Sequence, residues 1–387
     1  MIPRNWRWST LENVSDVIMG QSPNGEETTS DSTYIPLIGG AADMGNLFPI
    51  ITRYTKVPTK LSQKDDVIIC VRATLGRPIY SDGVYCLGRG VAAIRSNILI
   101  KEYIRYFLIN NEQYLYENAT GSTFLQITSI KLKSMPIPVP PLDEQQRIVD
   151  IIENLFSKLD KAKALAQNVI DNYELRRSAI LHKAFTGELT DTNLNITDFS
   201  EVANIKCNLV SPKDYLNYPH IAPDNIEKKT GRLTSYHTVA EDKVISNKHR
   251  FYPGQILYSK IRPYLSKVIV AEFDGLCSAD MYPIESKENI KYMWYYMLSD
   301  EFLNQASNAG SRTLLPKINQ KELSKIKVPI CKLEEQKEIV RILDSLLNKE
   351  QRTKELAEQI LQKIDLMKKA ILARAFRGEL KTNEVIF

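Results

Sequence analysis

Metal and redox chemistry have little to work with in this chain, which carries four histidines and five cysteines in 387 residues. His182, His220, His237 and His249 show no metal-ligand spacing, and Cys70, Cys86, Cys207, Cys277 and Cys331 stand singly with no C-x-x-C pair. The thiols are read as buried and free, the imidazoles as solvated or structural. No run approaches the roughly 18 apolar residues of a membrane helix, and the opening Met1-Ile2-Pro3-Arg4-Asn5-Trp6 lacks the apolar stretch of a signal peptide. The expected location is cytoplasmic, with no membrane partner.

Catalytic motifs are missing as well. There is no G-x-x-x-x-G-K-[ST] phosphate loop and no G-x-G-x-x-G; the glycines of 39–45 have the wrong spacing and read as a turn. An amino-methyltransferase would need an Asn/Asp-Pro-Pro-aromatic tetrad to hold an exocyclic nitrogen, yet Pro140-Pro141 is followed by Leu142. Catalysis is therefore expected on other chains, with no cofactor and no metal on this one. Bulk charge says little either: the net +5 divides into +2 over residues 1–141, −1 over 142–189, +3 over 190–332 and +1 over 333–387. A polyanion-binding face has to come from clustering.

What the chain does have is a duplication. Residues 138–189 and 329–380 align without a gap at an offset of 191 residues, with 21 of 52 positions identical. A period that long is not a solenoid; the repeated unit is a whole domain plus its helix, so approximate twofold symmetry within one chain is expected. Four blocks follow, at 1–141, 142–189, 190–332 and 333–387. The first and third are punctuated by Gly and Pro and rich in short apolar runs, predicting strands over 66–71, 90–94, 254–259 and 267–271. Helical patches lie at 103–108 and 292–298, each ahead of a polar loop at 121–123 or 310–313.

The second and fourth blocks read as long helices. Pro140 and Pro141, like Pro329, stop what precedes them; Asp143, Glu144, Glu334 and Glu335 place negative charge at the first turn; Gly187 and Gly378 supply the exit. Roughly 40 residues at ~1.5 Å each give about 60 Å. Apolar residues recur with 4-3 spacing from Ile148 to Ile180, broken by Arg176, and from Ile339 to Ile371, broken by Glu350 and Thr353, as in a coiled-coil seam. In an antiparallel pair whose partner numbers sum to 526, Leu159 meets Met367, Ala166 meets Ile360, Arg176 meets Glu350 and Tyr173 meets Thr353. A one-heptad shift would strand both charges in an apolar seam, so Tyr173, Arg176, Glu350 and Thr353 are the candidate register-fixing set.

The openings Pro140-Pro141-Leu142-Asp143-Glu144-Gln145 and Leu333-Glu334-Glu335-Gln336, with the closings Ala184-Phe185-Thr186-Gly187-Glu188-Leu189 and Ala375-Phe376-Arg377-Gly378-Glu379-Leu380, resemble the specificity subunit of type I restriction-modification systems over essentially the whole length. Cys331-Lys332 departs from the Pro-Pro of the first copy, which puts a less rigid start on the second helix. The resemblance implies an α+β chain with two similar target recognition domains, each a small helical part plus a curved, barrel-like sheet, separated by two long antiparallel coiled-coil helices. It implies a DNA-reading subunit without catalytic activity of its own. Its partners would be double-stranded DNA with a bipartite site, two methyltransferase subunits and two restriction/translocase subunits. S-adenosylmethionine, ATP and magnesium would sit on those partners.

Candidate DNA contacts in the first domain are Arg72, Thr74 and Arg77 after a predicted strand, Gly121, Ser122, Thr123 and Gln126 in a loop, and Gln21, Ser22 and Asn24 in another. In the second they are Lys260, Arg262, Tyr264 and Lys267, then Ser311, Arg312 and Lys317. Arg and Lys suit phosphate or guanine, and glycine lets backbone N–H groups approach phosphate. Two other readings remain at this point: a coiled-coil scaffold that binds proteins without DNA specificity, and a fused restriction enzyme, against which the missing motifs argue.

Overall fold

The computed structural model describes residues 2–121, 124–309 and 316–380. The chain divides into two compact units, Met1–Ala166 with Gln359–Phe387, and Gln167–Glu358.

In the first unit a four-stranded antiparallel sheet runs in the order Asp16–Met19, Val91–Arg95, Val67–Cys70, Gly76–Tyr80. Val67-Ile68-Ile69-Cys70 is wholly buried, and the two-residue period of a strand sends its side chains to opposite faces. Val67 and Ile69, with Ala92 and Ile94, enter a core shared with helix Lys101–Asn110 and with Ile148 and Ile152 of the long helix. Ile68 and Cys70, with Val91 and Ala93, enter a smaller core with Ile38 and Leu87 of a second sheet. Helices, sheet and sheet thus form successive layers around two cores.

The second unit repeats the plan. Its central sheet orders Ala203–Ile205, Met281–Ser286, Ile256–Ser259 and Val268–Val270. Ile256, Tyr258 and Val268 face helix Ile290–Met297, while Leu257 and Ile269 face the core of a five-stranded sheet. The mixed helix-and-sheet domain present twice agrees with the sequence reading, with one correction. Among the described residues no sheet closes into a barrel, and each domain carries separate open sheets joined through a core.

The repeated glutamines weld helix to domain. Gln145 is fully buried; its Oε1 accepts from Ile100 N at 3.0 Å, and its Nε2 donates to Ile98 O at 3.1 Å and Pro140 O at 3.0 Å. Gln336 does the same, accepting from Asn289 N at 3.0 Å and donating to Cys331 O at 2.9 Å. Tyr103 Oη donates to Pro138 O, and Tyr292 Oη to Pro329 O, both at 2.9 Å. The Ala-Phe closings work crosswise. Phe376, from the second copy, packs edge-on against Tyr103 and Phe107 of the first unit, ring centres 5.1 and 5.5 Å apart. Phe185, from the first copy, packs on Tyr292 and Tyr296 of the second at 5.3 and 5.2 Å.

The first long helix is not continuous: it runs Leu142–Asp171, hitches at Asn172 (ψ 2°) and resumes at Tyr173–Thr186. Leu333–Ala375 is unbroken over 43 residues. Gly187 and Gly378 take φ of 87° and 72°, the left-handed exit that glycine allows. Within the first unit Lys163 Nζ lies 3.2 Å from Asp365 Oδ1 and Lys368 bonds Asp160 at 2.5 Å, an antiparallel pairing. Within the second, Arg176 Nε lies 2.6 Å from Glu350 Oε2. Tyr173 Oη donates to Gln351 Oε1 at 2.7 Å, and the Thr353 hydroxyl donates to Lys349 O of its own helix at 2.8 Å.

Candidate nucleic-acid interface

In each domain the structure joins the two polar segments that the sequence singled out separately. The turn after Val67–Cys70 is held by Ala73 N donating to Leu125 O at 2.8 Å and Ile127 N donating to Val71 O at 3.0 Å, which brings Arg72 opposite Gln126. The second domain makes the same pair of bonds, Arg262 N to Pro316 O at 2.7 Å and Ile318 N to Lys260 O at 2.9 Å, bringing Ile261 opposite Lys317. Both turns use left-handed backbone, at Ala73 (φ 60°) and Arg77 (φ 53°) in one and Arg262 (φ 49°) in the other, a conformation L-residues rarely adopt without being held.

Not every candidate side chain is equally available. Thr74, Gln21, Ser22 and Asn24 are exposed, and Ser22 Oγ accepts from Arg89 N at 3.2 Å. Arg77 is exposed but its guanidinium donates to Ala41 O and Met44 O, each at 3.3 Å. Arg262 and Tyr264 are exposed. Lys260 lies 5.2 Å over the Tyr282 ring and Lys317 pairs with Asp280 at 3.1 Å. Lys267 is folded inward, its Nζ donating to Pro223 O at 2.7 Å with its side chain 14% exposed. Gly121 takes φ 100°, and an added Cβ would lie 2.4 Å from Phe124 O. Ser122, Thr123, Ser311 and Arg312 lie outside the described residues.

Sequence reasoning missed several surface groups because their parts are far apart along the chain. Arg53 and Arg89 line one cleft with Arg72. Arg250 sits among Tyr215, Tyr218 and Tyr252 at 5.2, 5.8 and 4.8 Å from their ring centres. Asp242 accepts from both His220 Nδ1 (2.7 Å) and His237 Nδ1 (3.1 Å), and the His220 bond above all holds its carboxyl below the usual carboxylate range. The thiols need one correction: Cys207 is exposed, accepting from Gln320 Nε2 at 2.6 Å, while the other four are buried. Burial pushes the Cys70 thiol up to about 11, which leaves it unreactive near neutrality. Among the described residues no His, Cys, Asp and Glu group could hold a metal ion, and no helix is long and apolar enough to cross a membrane.

A domain of mixed helix and sheet, present twice, leading each time into a long helix and showing a bridged cationic turn at its surface, defines a class of internally duplicated two-domain proteins. Residues 3–169 and 192–362 each match the type I restriction modification DNA specificity domain, and the chain belongs to that family. Over 315 residues it is 39% identical to the type I restriction enzyme EcoDI specificity subunit of Escherichia coli, covering 73% of this chain and 71% of that one. In fold it is similar to a chain from the structural study of complex assembly and conformational transition in the type I R-M system, with TM-score 0.76 and 19% identity over 98% of this chain and 100% of that chain. It is also similar to the HsdS subunit from Thermoanaerobacter tengcongensis, with TM-score 0.68 and 20% identity over 98% of each.

Proposed function

We propose that this chain is the DNA-recognition subunit of a type I restriction-modification complex, each domain reading one half of a bipartite duplex site. The observation that carries the division of labour is the bridged turn made twice by the same backbone bonds but with different side chains: Arg72, Thr74 and Gln126 in one domain, Lys260, Arg262 and Lys317 in the other. One scaffold with two side-chain sets suits two different half-sites. Phosphate contacts supply salt-dependent affinity and groups at base edges supply sequence. Two short half-sites at a fixed gap multiply their discrimination.

In this reading Ser122, Thr123, Ser311 and Arg312 are further candidate DNA contacts by sequence, and Gln21, Ser22 and Asn24 add to the first surface. Lys267 serves the domain's interior instead. The paired helices fix the gap, with the Arg176–Glu350 contact setting their register, and offer the docking face for two methyltransferase subunits. Two restriction/translocase subunits complete the assembly. S-adenosylmethionine, ATP and magnesium belong to those partners, and methylation at adenine N6 requires a base to leave the stack of a duplex this chain holds. The test is methylation-site mapping with Gln126→Ala and Arg262→Ala complexes: each variant relaxes one half-site and leaves the other intact. Relaxation of both halves by either variant contradicts the division of labour.

A further inference from the structure

The first domain contains a cleft of about 360 Å3 whose walls include Gly39, Gly40 and Gly88 and whose cations are Arg53, Arg72 and Arg89. Arg53 is already committed. Asp43, 2% exposed, receives Gly39 N at 2.6 Å, Gly40 N at 3.3 Å and Arg53 Nη2 at 2.8 Å, so its charge is neutralised within the wall. Arg72 and Arg89 are different: among the described residues neither guanidinium makes an ion pair or a side-chain hydrogen bond. Two unpaired cations converging on a glycine-walled recess, with no carboxylate left to balance them, call for an anion from outside.

The feature belongs to the first domain's sequence and not to the scaffold. Val71 N donates to Gly90 O as Lys260 N donates to Asp280 O, both at 2.9 Å, and Gly88 N donates to Ile38 O as Ser278 N donates to Ile221 O, at 2.7 and 2.8 Å. By that correspondence the places of Arg72 and Arg89 are held in the second domain by Ile261 and Ala279, with Asp280 following. The same position is cationic in one domain and not in the other.

We propose that this cleft seats one backbone phosphate of the target duplex, gripped by Arg72 and Arg89. The inference rests on the DNA-reading function proposed above and adds Arg89, and the commitment of Arg72 to phosphate, to it. Shape decides between phosphate and base. Base edges lie at the floor of a groove about 8.5 Å deep and are reached by elements that protrude. Phosphates stand on the ridges and fit a recess, and glycine walls let them approach closely.

The test measures duplex binding by the full chain assembled with its methyltransferase subunit, as a function of salt, for wild type, Arg89→Ala and Gly40→Leu. Gly40 has extended backbone (φ 167°) and an added Cβ there meets nothing within 4 Å, so leucine enters the cleft without strain. Both variants are expected to weaken binding about tenfold, the cost of one charged hydrogen-bonded contact. Cognate and scrambled duplexes should be affected alike, and the log–log salt slope should be shallower by about one. An unchanged slope with preference lost at one base pair overturns phosphate in favour of base readout. Unchanged affinity and slope in both variants remove the cleft from the interface while the DNA-reading function stands. Failure of the wild-type assembly to bind any duplex overturns that function itself.

Discussion

Arg176 and Glu350 face each other across two antiparallel helices with Nε and Oε2 2.6 Å apart, while Arg176 Nη2 donates to Val169 O at 2.9 Å. The pair interrupts a mainly apolar spacing, and its side chains are 35% and 24% exposed. Solvent screening at that exposure limits the coupling to about 0.5–1 kcal/mol. A double-mutant cycle with Arg176→Ala and Glu350→Ala, read by denaturant unfolding, should return a coupling in that range, and the Arg176→Glu/Glu350→Arg exchange should recover most of what either single reversal loses. Zero coupling with no recovery removes this pair as a register device.

The buried glutamines should be far less tolerant than their surface neighbours. Gln145→Leu leaves the Ile100 N–H and the Ile98 and Pro140 carbonyls without the partner they now have. Each unsatisfied buried group costs about 1–3 kcal/mol, so a loss of about 3 kcal/mol or more is expected, compared with under 1 kcal/mol for Gln146→Leu on the exposed side of the same turn. Thermal unfolding of the two variants checks this.

Phe376 is distant in sequence from the domain it stabilises. It is 6% exposed against Tyr103 and Phe107, and Phe376→Ala should cost about 3–5 kcal/mol. Amide exchange should speed first in helix Lys101–Asn110 and not in helix Ile290–Met297. Uniform acceleration in both contradicts the crosswise packing.

The hydrogen bond between His182 and Glu301 holds the imidazole above its ordinary 6.5. A base whose folded pKa is raised contributes stability that is complete below the unfolded pKa and is lost as pH rises through the folded one. His182→Gln should therefore lower Tm below about pH 6.5 and converge on wild type on the alkaline side. His182 is more than half exposed, so the difference is small; a difference that grows with pH has the wrong sign.

Much of the fold was legible because two periods dominate this sequence. The run Val67-Ile68-Ile69-Cys70 is fully apolar because its strand is buried on both faces by two different cores, and the repeated Glu-Gln and Ala-Phe signatures mark the helix ends. Less visible was anything that depends on the third dimension. Asn172 occupies an unremarkable helical position in the pattern, yet the first helix hitches there. The division into separate open sheets follows from pairings such as Ile38 with Leu87, which are 49 positions apart. Of the site, the turns were legible as polar segments after strands, but their joining through Leu125 and Pro316 was not. Arg53 and Arg89 carry no local signal, since only the packing of three loops brings them to Arg72. Lys267 looked available beside its strand and is instead spent on Pro223.

The most direct test of the central claim is methylation-site mapping of DNA from cells that express this chain with its cognate methyltransferase subunit, compared with cells lacking this chain. The account predicts a bipartite N6-methyladenine motif with a fixed gap, present only when this chain is expressed. Methylation that is unchanged by its presence would contradict the account.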